Sequence, residues 1–418
     1  MSSMRAAEGA ALGAVLAVYQ HGGEVSNDAL YQAVKQPMGF TNEDYERREP
    51  IGKRGGKHCV AQRRVRWYVQ TLKHLQLVER VPNRRGVWRL RGAQEKELTP
   101  AAAGMTLVGF STNLGLALWS SCDVFKKINE PIALCLTSPP YALAKPRKYG
   151  NPSEKDIVEF IVRSLEPVVK NLLPGGSIAL NTTNDLFLPG SPARSLYVER
   201  LVLALNSELG LFKMDTLIWR NPCKAPGPMQ WASNTRQQLN VEYEVILWMT
   251  NDPLRCFADN RRVLEPHSER HLQLLAAGGE KRSTNHGDGA YRLRAGRSFA
   301  HTTPGRIPRN VLQFTQHGTE ISALRQSARS LGLPVHGALM PLALATFLIK
   351  FLTREGDLVV DLFAGWGTSA KAAEDAGRRW LVTERMAEYV AAQALRLCGA
   401  AGFRPSIPMD LQPGLPMF

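Results

Sequence analysis

The sequence predicts an α/β fold built on a doubly wound parallel sheet. Two stretches carry this prediction. One is the apolar run Ile132–Leu136, which stops at Thr137-Ser138-Pro139-Pro140-Tyr141, and the other is the run 356–362, which enters a glycine-rich turn. Short apolar runs bounded by proline or glycine are typical of buried parallel strands. Open α/β sheets carry their functional residues at the carboxyl ends of such strands.

Composition limits the possibilities. With 418 residues, 44% of them hydrophobic, the chain can form one catalytic domain and a smaller one. A formal net charge of +15 favours a polyanionic partner. The six cysteines show no Cys-x-x-Cys pairing, which argues against a metal site or a disulfide framework and for a reducing cytoplasm.

Residues 1–95 are predicted to form a separate helical module. Leu12, Val15, Leu16 and Tyr19 follow the spacing of an amphipathic helix, so this apolar start is interpreted as a first helix, and no transmembrane segment is predicted anywhere in the chain. Ser26 is expected to cap a second helix, and a third is expected over residues 60–77. The segments 77–81 and 87–90 then indicate a hairpin, so the module resembles a winged helix.

The module is strongly basic. Between Tyr45 and Arg91 there are 14 Lys or Arg against 3 Asp or Glu. Arg63, Arg64 and Arg66 on the third helix are therefore candidates for contact with DNA. A protein-docking or dimerisation module with a solvated basic face is the alternative.

Residues 96–130 are interpreted as a linker and an approach to the sheet, with a possible edge strand at 107–110. The catalytic half, 131–250, begins with the apolar run and its Ser-Pro-Pro-Tyr motif. Two prolines stiffen the loop and remove two amide donors, which leaves a hydroxyl, carbonyls and an aromatic ring. This set suits the exocyclic amine of a base: Ser138 and the Pro139 carbonyl accept its hydrogens, and Tyr141 stacks on the flipped base. A proline-rich turn that merely closes a strand is the alternative.

The rest of this half alternates helices and strands. Ser153 is expected to cap a helix, followed by a strand over 177–181 and a helix over 195–209. Residues 214–219 and 241–249 are predicted as a strand and its returning partner. In the loop 142–152, Lys145, Arg147 and Lys148 are candidates for closing over the base or contacting phosphates, with a mobile surface loop as the alternative.

Residues 251–335 lose apolar periodicity and are rich in arginine. Arg292, Arg294, Arg297, Arg306 and Arg309 are candidate phosphate or guanine contacts. The alternative is a basic insertion without that role.

The second half, 336–400, begins with His336-Gly337-Ala338-Leu339-Met340-Pro341 and a helix from Leu342 to about Thr353. A strand then runs into Asp361-Leu362-Phe363-Ala364-Gly365-Trp366-Gly367-Thr368, and a helix and a second strand ending at Glu384 follow. Glycines let the backbone approach a ligand, and an acidic residue after the next strand is placed to accept ribose hydroxyls. A covering helix is expected over 386–397, and 401–418 form a proline-rich tail.

In this order the two motifs resemble those of the DNA amino-methyltransferases, in the permuted group called the β class. The resemblance covers roughly residues 105 to 400. It implies a Rossmann-like sheet, S-adenosylmethionine as cofactor, double-stranded DNA as partner, a homodimer, and 251–335 as the target-recognition region. The implied catalytic residues are Ser138, Pro139, Pro140 and Tyr141, and the implied cofactor contacts are Thr137, Pro341, Asp361, Phe363, Ala364, Gly365, Gly367, Thr368 and Glu384.

The resemblance leaves the target atom open. Serine before Pro-Pro-Tyr leans toward cytosine N4, yet adenine N6 stays possible because both amines donate to a hydroxyl. Pro222-Cys223 has the residue pair of cytosine C5 methylases, but its flanks differ, so direct rather than covalent transfer is expected. A non-catalytic DNA-binding regulator and an RNA methyltransferase are the alternative functions.

Overall fold

The computed structural model describes residues 11–19, 23–51, 56–75, 77–90, 98–142 and 150–406. The predicted contacts Lys145, Arg147 and Lys148 and the tail 407–418 lie outside the described residues.

The amino-terminal module contains the predicted helices and hairpin. Its elements, in order, are α1 (11–19), β1 (Val25–Ser26), α2 (Asn27–Ala33), α3 (Asn42–Glu46), β2 (Arg48–Ile51), β3 (Gly56–Cys59), α4 (Val60–His74), β4 (Val78–Arg80) and β5 (Val87–Leu90). Ser26 caps α2 as predicted, since its hydroxyl accepts from the Ala29 amide at 3.2 Å. The strands β1, β5 and β4 form a small sheet, and an apolar core that includes Val65, Tyr68 and Leu72 holds α4 against the module.

The residues after this module form a larger α/β unit. Its elements, in order, are β6 (Thr106–Ser111), β7 (Gly115–Ser120), β8 (Ile132–Thr137), α5 (Ile157–Lys170), β9 (Leu172–Thr182), α6 (Tyr197–Leu209), β10 (Phe212–Arg220), β11 (Tyr243–Thr250), α7 (Glu269–Ala276), β12 (Thr284–His286), β13 (Tyr291–Leu293), β14 (Val311–Gln313), α8 (Thr319–Ser330), α9 (Leu342–Leu352), β15 (Leu358–Asp361), α10 (Thr368–Asp375), β16 (Arg379–Glu384), α11 (Ala387–Leu397) and β17 (Arg404–Pro405).

Ten of the described strands form one sheet, in the order β14-β10-β11-β9-β8-β15-β16-β7-β6-β17. The central strands β9, β8, β15, β16 and β7 are parallel, and β11 and β6 continue the sheet in antiparallel fashion. Successive connections move outward from β8 to β9 and from β15 to β16, so the strand order reverses between β8 and β15. That switch point is where open α/β sheets bind ligands.

Two apolar cores cover the sheet. One contains buried residues of α9, α10 and α11, and the other contains buried residues of α5 and α6. All six residues of β8 are buried, as the all-apolar run predicted.

Two predicted boundaries are corrected, and two regions contain elements that were not predicted. In 96–130, the possible edge strand at 107–110 is present as β6, and β7 was not predicted. The helix after the Ser-Pro-Pro-Tyr loop starts at Ile157 rather than beside Ser153, whose hydroxyl forms hydrogen bonds within the preceding turn. The strand expected at 177–181 extends from Leu172. The basic region 251–335 contributes β14 to the main sheet and contains the partly buried helix α8.

The basic face of the amino-terminal module is exposed. Arg63, Arg64 and Arg66 lie on the solvent side of α4, while Val65 and Tyr68 point into the core. The arginines at 292, 294, 297, 306 and 309 are also exposed, and Arg306 pairs with Glu265 at 2.6 Å.

Candidate active site

The two sequence motifs meet at one cavity. Thr137 ends β8 and Asp361 ends β15, and these strands are parallel neighbours. Glu384 ends β16, which pairs with β15 in the same direction. All three residues therefore lie at the same edge of the sheet, beside the switch point.

The cavity has a volume of about 480 Å³, in the usual range for a small-molecule site. Of the predicted residues, its lining contains Ser138, Pro139, Pro140, Tyr141, Asp361, Phe363, Ala364, Gly365, Thr368 and Glu384. Thr137, Gly367 and Pro341 lie outside the lining. Pro341 is the N-cap residue of α9, next to Met340, which does line the cavity.

Asp361 connects the two motifs. Its Oδ1 accepts hydrogen bonds from the Thr137 hydroxyl at 2.6 Å and from the Phe363 amide at 3.0 Å. Its Oδ2 accepts a hydrogen bond from the Ser369 hydroxyl at 2.5 Å. Burial raises the pKa of this carboxyl, and the three hydrogen bonds oppose the rise. A carboxylate has about four acceptor sites, so Asp361 keeps capacity for one further donor.

Glu384 organises the glycine-rich loop. Its carboxylate accepts from the Gly365 amide at 2.8 Å and from the Met386 amide at 2.7 Å. Burial raises the pKa of Glu384 to about 7, against the lowering effect of these amides. The group therefore titrates close to neutral pH.

Both glycines of this loop have a left-handed backbone, with φ of 52° at Gly365 and 71° at Gly367. A Cβ at Gly367 would lie 2.9 Å from Cγ of Gln393, closer than real Cβ contacts come. Glycine is required here for conformation and for space.

Helix α11 supports the loop through two residues that the sequence analysis missed. Gln393 donates to the Gly365 carbonyl at 2.8 Å. The buried Arg396 donates to the Thr368 hydroxyl at 2.7 Å and pairs with Glu320 of α8 at 2.7 Å. Polar side chains on the buried face of an otherwise apolar helix are the signal that could have identified them.

Trp366 packs in the core. Its side chain is fully buried in a cluster with Leu339, Met386 and Tyr389. The bulky residue within the glycine-rich motif thus packs in this cluster, and it also contributes to the lining of the cavity.

These residues fit a nucleoside-containing cofactor. Gly365 adds no side-chain bulk to the cavity wall, Phe363 supplies an apolar surface, and two buried carboxyl groups supply acceptors. The donor S-adenosylmethionine would supply a methyl group on a positively charged sulfur, which a site with acidic and aromatic groups favours.

The Ser138-Pro139-Pro140-Tyr141 loop faces the same cavity. The Ser138 hydroxyl lies 3.2 Å from the Tyr141 hydroxyl, which in turn lies 2.9 Å from Oε2 of Glu244. Asn181 of β9 lies within hydrogen-bond distance of both hydroxyls, through its Oδ1 at 3.4 Å and 3.0 Å. The sequence analysis did not identify Asn181 or Glu244, although Glu244 is a charged residue in a largely buried strand.

Cys223, the residue considered for covalent transfer, is exposed and does not line the cavity. Within the described residues no group of three His, Cys, Asp or Glu side chains is placed to hold a metal ion. No helix in the described part of the chain is long and apolar enough to cross a membrane.

Comparison with known proteins agrees with this geometry. The family described as DNA methylase matches residues 132–395, and the Mrr N-terminal domain matches residues 10–94. The type II methyltransferase M.PvuII of Proteus hauseri is 31% identical over 268 residues, covering 64% of this chain and 78% of that protein. The type II methyltransferase M.BglII of Bacillus subtilis is 23% identical over 266 residues, covering 63% of this chain and 62% of that protein.

A solved structure named PvuII DNA methyltransferase (cytosine-N4-specific) superposes with a TM-score of 0.52 and 27% identity, covering 68% of this chain and 87% of that one. The matched family spans more than half of the chain and contains both motifs that line the cavity. The chain therefore belongs to the DNA methylase family of amino-methyltransferases, enzymes that use S-adenosylmethionine.

Proposed function

We propose that this enzyme methylates N4 of cytosine within a specific sequence of double-stranded DNA, after the base has been flipped into the cavity. The observation that carries the proposal is that Ser138 and Tyr141 line the same cavity as the glycine-rich loop. A base held by the catalytic loop would present its amine to a methyl donor held by the cofactor loop. The rate then comes mainly from orientation and hydrogen bonding.

Each motif residue receives a role. Ser138 and the Pro139 carbonyl accept the two amine hydrogens, and Tyr141 stacks on the base. The cofactor is held by Phe363, Ala364, Gly365 and Thr368. Glu384 accepts hydrogen bonds from its ribose hydroxyls, and the free acceptor site of Asp361 accepts one from its amino group. Thr137 acts through Asp361, because it lies outside the cavity lining.

The choice of cytosine N4 is supported by two observations. A serine hydroxyl precedes Pro-Pro-Tyr, and the similar PvuII structure is named as cytosine-N4-specific. Adenine N6 is the competing target, because its amine could donate to the same acceptors.

DNA contact is proposed for two basic surfaces. The first is the α4 face with Arg63, Arg64 and Arg66, carried by a module whose helices and terminal hairpin resemble a winged helix. The second is the segment 264–310, which contains the exposed Arg292, Arg294, Arg297, Arg306 and Arg309 and which we assign to target recognition. Exposed arginines suit phosphate and guanine contacts.

Mass spectrometry of nucleosides tests the target. Duplex DNA and RNA of mixed sequence are incubated with enzyme and labelled S-adenosylmethionine and then digested. We expect labelled N4-methylcytosine from DNA alone, and its absence with Ser138→Ala. Labelled N6-methyladenine would reassign the base, label in RNA would reassign the substrate, and binding without transfer would support a non-catalytic regulator.

A further inference from the structure

A chain of hydrogen bonds leads away from the target pocket and ends at a carboxylate. Ser138 Oγ donates to the Tyr141 hydroxyl at 3.2 Å, and Tyr141 donates to Oε2 of Glu244 at 2.9 Å. All three residues line the cavity. Each hydroxyl also lies within hydrogen-bond distance of Asn181 Oδ1. When Ser138 donates to Tyr141 and Tyr141 donates to Glu244, the chain has the direction that a proton leaving the pocket would need.

Glu244 is held in place from several sides. Lys224 approaches Oε1 at 3.3 Å, and Asn181 Nδ2 lies 3.5 Å from Oε2. The Glu244 and Lys224 side chains are 15% and 21% exposed, so both contact solvent at the rim of the pocket. Tyr197 is the other titratable group close by, and burial followed by the charge of Glu244 raises its pKa to about 12.

Tyr141 does not supply a phenolate that could act as the base, so in the chain it can only pass on a proton as it receives another. Burial, followed by the charge of Glu244, raises the pKa of Tyr141 well above its usual value. Asn181 is equally unsuited, because an amide oxygen accepts hydrogen bonds but is a very weak base. Among the described cavity residues linked to Ser138, only Glu244 combines a carboxylate with a route to water.

We propose that Glu244 is the terminal acceptor of the proton that the target amine loses during methylation. This inference rests on the proposed function. The lone pair of the exocyclic nitrogen forms the new N–C bond as the C–S bond breaks and its electron pair stays on sulfur. One N–H proton passes to Ser138 Oγ as the Ser138 proton passes to Tyr141 and the Tyr141 proton passes to Glu244. Glu244 becomes neutral and later releases the proton to solvent.

This relay answers a chemical need of the reaction. The nitrogen gains a positive charge as it takes the methyl group, and it must lose a proton to give a neutral product. A serine hydroxyl alone is too weak a base to take that proton. Positioned proton transfer typically contributes on the order of 10²–10⁴ in rate.

The test measures single-turnover methyl transfer to duplex DNA as a function of pH for Glu244→Gln, Glu244→Asp and the control Glu242→Gln. Glu242 lies two residues away, is more exposed and pairs with Arg220, outside the cavity lining. We expect Glu244→Gln to lose about 10²-fold in the methyl-transfer rate at neutral pH. The rate should recover as the pH rises, because hydroxide then takes the proton in place of the carboxylate. Glu244→Asp should recover part of the rate, and Glu242→Gln should match the wild type.

Binding measurements separate proton transfer from positioning. Cofactor affinity, DNA affinity and the fluorescence of 2-aminopurine at the target position should be the same in Glu244→Gln and wild type. Wild-type transfer rates in Glu244→Gln would overturn the inference, and so would a rate loss that parallels lost base flipping. Absence of transfer to DNA by the wild-type enzyme would instead contradict the proposed function.

Discussion

The Thr137 hydroxyl donates a hydrogen bond to Oδ1 of Asp361 at 2.6 Å, although the two residues are 224 positions apart in the sequence. Thr137 ends the strand before the Ser-Pro-Pro-Tyr loop, and Asp361 ends the strand before the glycine-rich loop. This buried hydrogen bond fixes the two loops relative to each other. The distance between methyl donor and acceptor depends on that relationship.

Replacing Thr137 by valine removes this bond with little change in shape. We expect a loss of about 1–2 kcal/mol in the free energy of unfolding, because Asp361 keeps its bonds from Ser369 and Phe363. Methyl transfer should slow while DNA affinity stays constant. Urea unfolding and single-turnover kinetics check both effects, with Thr137→Ser as the variant that keeps the hydroxyl. Unchanged stability in Thr137→Val would contradict the role of the bond.

Gly367→Ala should destabilise the protein and weaken cofactor binding. The change combines a left-handed backbone with a Cβ only 2.9 Å from Gln393 Cγ. Gly210→Ala is the matched control, since Gly210 has φ of 65° and open space around its Cβ position. Thermal unfolding should show a loss of about 1 kcal/mol in the control and more in Gly367→Ala. By calorimetry, only Gly367→Ala should lose affinity for S-adenosylmethionine, and equal affinities would refute the prediction.

Cofactor affinity should rise with pH around neutrality. The pKa of Glu384 is raised to about 7 in the folded protein, above its ordinary value of 4.5. The stability that this shift contributes is present below pH 4.5 and is lost as the pH rises through 7. A cationic cofactor favours the ionised carboxylate, so cofactor binding should release a proton from Glu384. Below pH 7 the affinity for the cofactor should therefore fall, by up to about tenfold for each unit of pH.

Calorimetry in two buffers of different ionisation enthalpy measures that proton release. Glu384→Gln should bind more weakly and lose most of the pH dependence. A pH dependence that persists in Glu384→Gln would assign it to another group.

The basic face of α4 should contribute affinity for DNA without sequence preference. Binding to specific and non-specific duplexes alike should weaken in each of the variants Arg63→Ala, Arg64→Ala and Arg66→Ala. Where a phosphate contact is lost, the slope of the logarithm of the binding constant against the logarithm of the salt concentration should fall in magnitude by about 1. Lys170→Ala is the control, because Lys170 pairs with Glu166 on α5. Fluorescence anisotropy at several salt concentrations tests this. Unchanged slopes in all three variants would favour a protein-docking module.

Much of the fold could be predicted because its signals are local. The all-apolar β8, the glycine turn after β15 and the cap at Ser26 each depend on a few adjacent residues. The strand β7, which begins with Gly115, was not predicted. In the structure Gly115 packs directly against the Trp380 ring, where a Cβ would lie 2.1 Å from Cδ2, so the glycine serves close packing between strands.

The site was predictable only in part, for the same reason. Ser138, Tyr141, Asp361 and Glu384 belong to compact motifs, whereas Asn181, Glu244, Gln393 and Arg396 are brought to the loops by strand order and helix packing. Helix α8 did carry a local signal in Ile321, Leu324 and Ala328, which was hidden by the surrounding basic sequence. The homodimer, the domain boundaries and the DNA contacts stay predictions.

The central claim is that one cavity brings a flipped base on the Ser138 loop to the methyl donor on the glycine-rich loop. Its most direct test is single-turnover transfer of labelled methyl to duplex DNA by wild type and Ser138→Ala, with cofactor and DNA affinities measured on the same samples. We expect Ser138→Ala to lose about 10²-fold or more in the transfer rate, with both affinities unchanged. Transfer by Ser138→Ala at the wild-type rate would contradict it.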